Sequence, residues 1–345
     1  MTEKKVSIIF NDDEGDKYVF EGQEINLENV FGTVKDIENA LKEKGYSTSI
    51  IGLKSVQKNS LDEFIKKIKS ASDGIIFNLC EGALGKSSFE AHITGLLELY
   101  GLKFTGSGPL TLGMSLDKGL TKDILSSREI MTPEYCVLNA PPSKLKRTLK
   151  FPLIVKPLKE DASLGIDSGA VVNTMKELKK RVEYIIEKFV QPAIVEEYID
   201  GREFNIAVMG NGKTKKALPP SEIVFVDFPE DKPKICCYEA KWVEESPLYH
   251  KTKPECPANI PEGFRDELQA VALRAYEIMG CRDYARVDVR VGEDGNIKVL
   301  EVNPNPDISP DAGFARAGKA IGLDYSDLIS EIVSIAEQRY CLETR

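Results

Sequence analysis

Two stretches late in the chain place acidic and amide side chains where a cation would be needed. Tyr284-Ala285-Arg286-Val287-Asp288-Val289-Arg290-Val291 alternates with a period of two, which sets Arg286 and Asp288 on one face of a strand. Ile297-Lys298-Val299-Leu300-Glu301-Val302-Asn303 does the same, with Glu301 and Asn303 sharing a face. A turn centred on Asp294-Gly295 brings Glu301 opposite Asp288 and Asn303 opposite Arg286, whether the loop holds two residues or four; a three-residue loop shifts the pairing by one. Opposed residues have Cβ atoms about 4.5–5.5 Å apart, where two carboxylates repel unless a cation compensates. Hard oxygens from Asp, Glu and Asn suit Mg²⁺, which takes a few protein ligands alongside substrate phosphates. The plainer alternative is a hairpin whose charges only keep it wet. Pro304-Asn305-Pro306-Asp307 speaks against that, because it reads as a specialised loop rather than a simple exit.

Further upstream, Leu153-Ile154-Val155-Lys156-Pro157 ends an apolar strand in a lysine that is costly to bury without an anionic partner. The loop Glu160-Asp161-Ala162-Ser163-Leu164-Gly165-Ile166 follows, and its small residues let backbone N–H groups approach phosphates closely. It does not carry the P-loop pattern. In Val195-Glu196-Glu197-Tyr198-Ile199-Asp200-Gly201-Arg202-Glu203-Phe204 the carboxylates Glu196 and Glu203 stand seven apart. Carboxylates can accept from an adenine amino group and from ribose hydroxyls, or can simply be solvated.

The elements around these residues alternate. Over the first hundred residues the pattern predicts strands at 6–10, 47–51 and 74–79, with helices at 30–44, 61–70 and 88–100 between and after them. Such alternation implies an α/β lobe with a parallel sheet, whose ligands bind at the carboxyl ends of the strands. Asn78-Leu79-Cys80-Glu81-Gly82 lies at one such end. The pattern then predicts one helix from Leu116 to about Ser127, strands at 151–158 and 170–172, and an amphipathic helix over 175–189. Strands at 194–198 and 203–209 follow, the latter turned at Asn211-Gly212. Val224 to Pro261, rich in Pro, Lys and Glu, reads mostly as loop. A helix over 264–279 precedes the hairpin, and a last one over 324–338 has Asp324 as its N-cap.

Bulk properties narrow the function. A chain of 345 residues allows two or three lobes, and a net charge of −9 makes no electrostatic case for nucleic acid. Lys144-Leu145-Lys146-Arg147 reads as a solvated loop edge. The five apolar-rich residues Val6 to Phe10 are too few for a signal peptide core or a membrane span, so a cytoplasmic protein without membrane partners is expected. Seven cysteines without a C-x-x-C pair read as reduced structural thiols, with Cys236 and Cys237 on opposite faces if they lie in a strand. Only His92 and His250 are present, which gives little support to histidine-based zinc chemistry or a Ser-His-Asp triad.

Together these segments resemble the ATP-grasp superfamily, most closely its D-alanine–D-alanine ligase branch. The resemblance runs through Tyr100-Gly101-Leu102-Lys103-Phe104-Thr105-Gly106-Ser107, Leu116-Asp117-Lys118, Val155-Lys156-Pro157, the 195–204 stretch, Tyr238-Glu239-Ala240-Lys241, Arg286-Val287-Asp288 and Glu301-Val302-Asn303. It implies a three-lobed ATP-grasp fold: an N-terminal parallel-sheet, Rossmann-like lobe over 1–110, a central lobe over 111–198 and a C-terminal lobe over 199–345. ATP would be clamped between the last two. By resemblance, Lys118, Lys156 and the Ser163 loop hold phosphates, with Lys241 near the γ-phosphate. Glu196, Glu197 and Glu203 border adenine and ribose. Asp288, Glu301 and Asn303 ligate two Mg²⁺ ions (Mn²⁺ as a substitute), while Arg286 steadies the transition state. The implied reaction joins a small amino-acid-like carboxylate to an amine through an acyl phosphate, in a homodimer.

The substrate half departs from the family. The first strand leads into Asn11-Asp12-Asp13-Glu14-Gly15 without the family's glutamate motif, the loop serine's place holds Ala162, and the tyrosine's place holds Trp242. Asp307 stands where the family has glycine, and Ala312, beside Asp311, where it has serine. Asp307, Asp311 and Glu81, with Glu90, are candidates to receive a cationic substrate group, and Arg316 to meet a carboxylate. A ligase with a rebuilt amino-acid site is therefore expected; the alternatives are a true D-alanine–D-alanine ligase and a catalytically silent nucleotide-binding regulator.

Overall fold

In the computed structural model, residues 4–12, 19–20, 23–24, 28–54, 60–84, 86–161, 163–230, 232–243 and 245–343 are described. The first lobe is a three-stranded parallel sheet with Lys5–Asn11 in the middle, flanked by Ser47–Leu53 and Ile75–Leu79. Glu28–Glu43, Ser60–Ser70 and Glu90–Leu99 are its helices. Strand ends meet at the carboxyl edge: Asn11 Nδ2 donates to the Gly82 carbonyl at 2.9 Å, and the Glu81 N–H donates to Asn11 Oδ1 at 2.9 Å. That exchange fixes the loop carrying Glu81.

The helix expected from Leu116 onward is two helices, Pro109–Leu116 and Lys118–Ser127. Asp117 breaks them, because its extended backbone lets Oδ1 accept from the Leu120 N–H as an N-cap. The second lobe is an antiparallel sheet in the order Tyr135–Leu138, Ala193–Glu197, Leu153–Pro157, Val171–Val172, backed by the helix Met175–Phe189.

The third lobe orders its strands Thr252–Glu255, Ser221–Phe225, Gly201–Met209, Tyr284–Gly292, Ile297–Asn303, with Lys216–Ala217 completing the turn after Met209. The helix Glu262–Ile278 packs Leu268, Ala272, Ala275 and Tyr276 against Phe204, Val287 and Val289. The terminal helix Tyr325–Glu343 returns to the first lobe, where Ile329, Ile332, Val333 and Ala336 share one core with Val6, Ile8, Ile37 and Phe77. Asp324 caps it, accepting from the Asp327 N–H at 2.7 Å.

The region expected as loop between Val224 and Pro261 contains the end of a strand, the short helices Tyr238–Trp242 and Pro247–Lys251, and the strand Thr252–Glu255. Thr-Lys-Pro-Glu has little intrinsic strand preference. It forms an edge strand, where pairing on one side suffices and Pro254 loses nothing by lacking an N–H. Cys236 and Cys237 precede a helix rather than alternating along a strand, and none of the seven cysteines is in a disulfide. Among the described residues, no helix is long and apolar enough to cross a membrane.

Candidate active site

The final hairpin brings its functional residues into the register expected at the site. Arg286 pairs with Asn303 and Asp288 with Glu301. The turn does not set this by itself: nearer to it, Val291 pairs with Ile297 and Val289 with Val299, the odd-loop register. A bulge at Leu300 absorbs one residue and restores the alignment.

Asp288 is almost fully buried and saturated with donors. Arg286 grips both oxygens, Nε to Oδ1 and Nη2 to Oδ2, each at 2.8 Å. Asn205 Nδ2 adds a bond to Oδ1 at 2.7 Å from the neighbouring strand, and Asn303 Nδ2 one to Oδ2 at 3.0 Å. Asn303 Nδ2 also lies 3.3 Å from Glu301 Oε1, so one amide lies between two carboxylates where a cation would serve both. Turning that amide presents its oxygen instead. Among the described residues no group of three His, Cys, Asp or Glu side chains gathers as a metal site. Two carboxylates and an amide are nevertheless a donor set that fits Mg²⁺, whose remaining ligands are waters and phosphates. Burial alone would raise the Glu301 carboxyl, but Lys118, Lys156 and Arg286 outweigh it and hold the group at about 2.

Cationic side chains face this hairpin from the second lobe. Lys118 Nζ donates to the Glu160 carbonyl at 2.6 Å and to Asp161 Oδ1 at 3.2 Å, and lies 3.6 Å from Glu301 Oε2. Lys156 Nζ donates to Glu196 Oε2 at 3.0 Å, and Lys122 Nζ is 3.4 Å from Oε1 of the same carboxylate. Glu196 is 1% exposed, so it is the buried counter-ion of two lysines rather than a carboxylate open to an adenine amino group. Burial pushes the Lys122 ammonium down to about 8 despite Glu196.

Glu197 is taken by Lys298, whose Nζ donates to its two oxygens at 3.0 and 2.8 Å. Glu203 receives Arg290 Nε and Nη2 on Oε2, at 2.9 and 2.7 Å. Arg290 also donates to the carbonyls of Ile199 and Lys234 and lies over the Tyr198 ring. Arg290 and Asn205 were not among the expected site residues, although the same period-two alternation puts Arg290 on the face of Asp288, and Asn205 on that of Glu203.

In the loop after Lys156, Ser163 and Gly165 both have positive φ, 62° and 72°. A side chain on Gly165 would collide with Phe189 and Pro157, so the loop needs glycine there. The Ser163 hydroxyl donates to the Cys236 carbonyl at 3.0 Å, which ties the loop to the segment leading to Lys241. Ala162 lies outside the described residues.

The substrate-side candidates split. Glu81 is exposed, yet crowding by its neighbours and repulsion from Asp307 and Asp161 raise its carboxyl to about 7 against the pull of Lys241 and Arg286. Glu90, also desolvated, is pushed up to about 8 although Asn305 Nδ2 donates to it at 3.0 Å. Asp307 Oδ1 accepts from the Ser309 N–H and hydroxyl at 2.9 and 2.7 Å, so it caps its own loop while facing Glu81 and Arg286 electrostatically. Asp311 is exposed. Arg316 donates to the Asp311 backbone carbonyl, folding onto its own segment instead of reaching freely for a carboxylate. Lys241 Nζ lies 4.9 Å from the centroid of the half-exposed Trp242 ring.

Comparison with known proteins gives the chain's relatives. A family model described as the D-ala D-ala ligase C-terminus matches residues 127–334. An uncharacterised protein of Sinorhizobium fredii, y4sG, is 32% identical over 302 residues, spanning 87% of this chain and 86% of that protein. A D-alanine–D-alanine ligase of Bordetella petrii is 34% identical over 255 residues, 73% of each chain. The crystal structure of D-alanine–D-alanine ligase from Bacillus anthracis complexed with ATP superposes with a TM-score of 0.74 at 24% identity, covering 99% of this chain and 100% of that one; it speaks to the fold.

Proposed function

The chain belongs to the D-alanine–D-alanine ligase family of the ATP-grasp superfamily, and on that premise we propose that it uses Mg-ATP to join a small amino-acid-like carboxylate to an amine that carries a further positive charge. The observation that carries the ATP half is the single face formed by Arg286, Asp288, Glu301 and Asn303, with the charges of Lys118 and Lys156 acting on Glu301. Asp288, Glu301 and Asn303 would hold Mg²⁺, which when bound neutralises phosphate charge.

The chain's own residues do the rest. Lys118, Lys156 and Arg286 offset charge as the γ-phosphoryl group moves, with Lys241 brought alongside from the third lobe. A substrate carboxylate oxygen bonds to the γ-phosphorus as the bond to ADP breaks. The amine nitrogen then bonds to the acyl carbon, inorganic phosphate leaves, and the nitrogen gives up a proton. Glu203, steadied on Oε2 by Arg290, keeps Oε1 for a ribose hydroxyl. Asp307 supplies the negative field for the cationic group, and Glu81, beside it, gains charge as that group approaches.

A second reading, ligation of D-alanine to D-alanine, is supported by the relative of that name at 34% identity. ADP release measured over a panel of D- and L-amino acids, alone and in pairs, separates the two. Turnover that needs a cationic amino acid supports the proposal; turnover with D-alanine alone refutes it.

A further inference from the structure

Beyond the bulge the hairpin ladder should have gone wrong. Val291 pairs with Ile297 and Val289 with Val299. Continued unchanged, that register sets Asp288 opposite Leu300 and Val287 opposite Glu301, and the slip turns Glu301 toward the core. Instead Asp288 faces Glu301, and Leu300 has no partner in the neighbouring strand. Burial follows the shift: Val299 and Val302, three apart, are 0% and 1% exposed.

A carbonyl that leaves its ladder inside a protein must find another donor. The Leu300 carbonyl accepts from Lys122 Nζ at 2.8 Å. Lys122 is 0% exposed and sits on the helix Lys118–Ser127, one turn after Lys118. The same ammonium forms an ion pair with Glu196, whose Oε1 lies 3.4 Å away, so one buried charge serves both the carbonyl and the carboxylate. One N–H along the same strand is held in a similar way, since Val299 donates to the Met131 carbonyl at 2.8 Å. The bulge is thus fastened from outside its own sheet.

We propose that Lys122 is a positioning residue for the cation face: by holding the Leu300 carbonyl it keeps the register that puts Glu301 and Asn303 beside Asp288 and Arg286. This rests on the reading of that face as a Mg-ATP site. Without the ammonium, the carbonyl is left unpaired, and the bulge that holds Glu301 and Asn303 on the cation face loses its outside fastening.

The test is calorimetric titration of the non-hydrolysable analogue AMP-PNP at graded Mg²⁺ concentrations, on wild type, Lys122→Met and Lys122→Arg. A wild type that binds no AMP-PNP refutes the site reading itself, whatever Lys122 does. Given wild-type binding, Lys122→Met should need at least about tenfold more Mg²⁺ for half-maximal binding, and Lys122→Arg, which restores a donor, less than about threefold more. Hydrogen exchange should quicken at residues 299–303 in Lys122→Met while the parallel sheet of the first lobe stays protected. A folded Lys122→Met with unchanged Mg²⁺ requirement and unchanged exchange overturns the proposal. Should Lys122→Met fail to fold, Lys122→Ala, which likewise leaves no donor, is read by the same two measurements: an increased requirement supports the proposal, and none overturns it.

Discussion

Asp288 and Glu301 stand directly opposite each other across the last hairpin, although the turn joining their strands would by itself set them one residue out of step. The correction is local, a single extra residue at Leu300, and it places both carboxylates on the face that carries Arg286. Two carboxylates so placed, Asp288 buried and Glu301 partly so, repel each other. The basic residues around them, Arg286 on Asp288 and Lys118 beside Glu301, offset that repulsion.

Asn205 should matter to this face although it ligates nothing in the proposal. The hydrogen bond that its Nδ2 donates to Asp288 Oδ1 is 2.7 Å long and partly buried. Asn205→Ala is expected to lower stability by about 1 kcal/mol, the usual worth of such a bond, and to raise the KM for ATP more than it lowers kcat. Thermal melts and steady-state kinetics check both. Unchanged kinetics would mean that Arg286 and Asn303 alone orient Asp288.

Glu90 gives a pH signature. It keeps its proton up to about pH 8 in the folded protein, against an ordinary value of 4.5, so the folded state binds more protons across that window. Its contribution to stability is full below about 4.5 and is lost as pH rises toward 8. Glu90→Gln removes the loss. The variant should match wild type near pH 4.5 and exceed it by about 2 kcal/mol near pH 9, once partial exposure is discounted. Urea melts at the two pH values read the difference; a constant gap would contradict the assignment.

Much of this site is readable without coordinates, because period-two alternation alone assigns residues to a sheet face. Arg286, Asp288, Glu301 and Asn303 follow from it, and so would Asn205 and Arg290 had the rule been carried along both strands. The bulge also has a trace in the sequence, the three-residue step between Val299 and Val302. Glu196 is different. Its partners Lys122 and Lys156 come from a helix and a strand remote in sequence, so no local pattern distinguishes a buried counter-ion from an open carboxylate. The strand Thr252–Glu255 was hidden for a related reason, since its pairing partner rather than its composition makes it a strand.

Asp283 joins the lobes rather than the chemistry. Fully buried, it accepts from Arg339 Nε and Nη2 at 2.9 and 2.8 Å, from the Gly106 N–H at 2.9 Å and from Asn211 Nδ2 at 2.8 Å. Asp283→Ala leaves Arg339 with a buried charge and should cost about 3–5 kcal/mol in a denaturant melt. A loss under about 1 kcal/mol would show that the hub is dispensable.

Asp307 tests the substrate half. If its carboxylate serves the cationic group, Asp307→Gly should raise the KM for a cationic amino acid at least about tenfold and leave the KM for ATP near wild type. Equal effects on both would point to collapse of the loop that Ser309 and Asp307 hold together.

The most direct test of the account is ADP release under Mg²⁺ and ATP over the amino-acid panel, for wild type and Glu301→Gln side by side. The account predicts amide formation matched to ADP by the wild type, and a loss of at least about a hundredfold in kcat by a folded Glu301→Gln. A folded Glu301→Gln that turns over at the wild-type rate contradicts it.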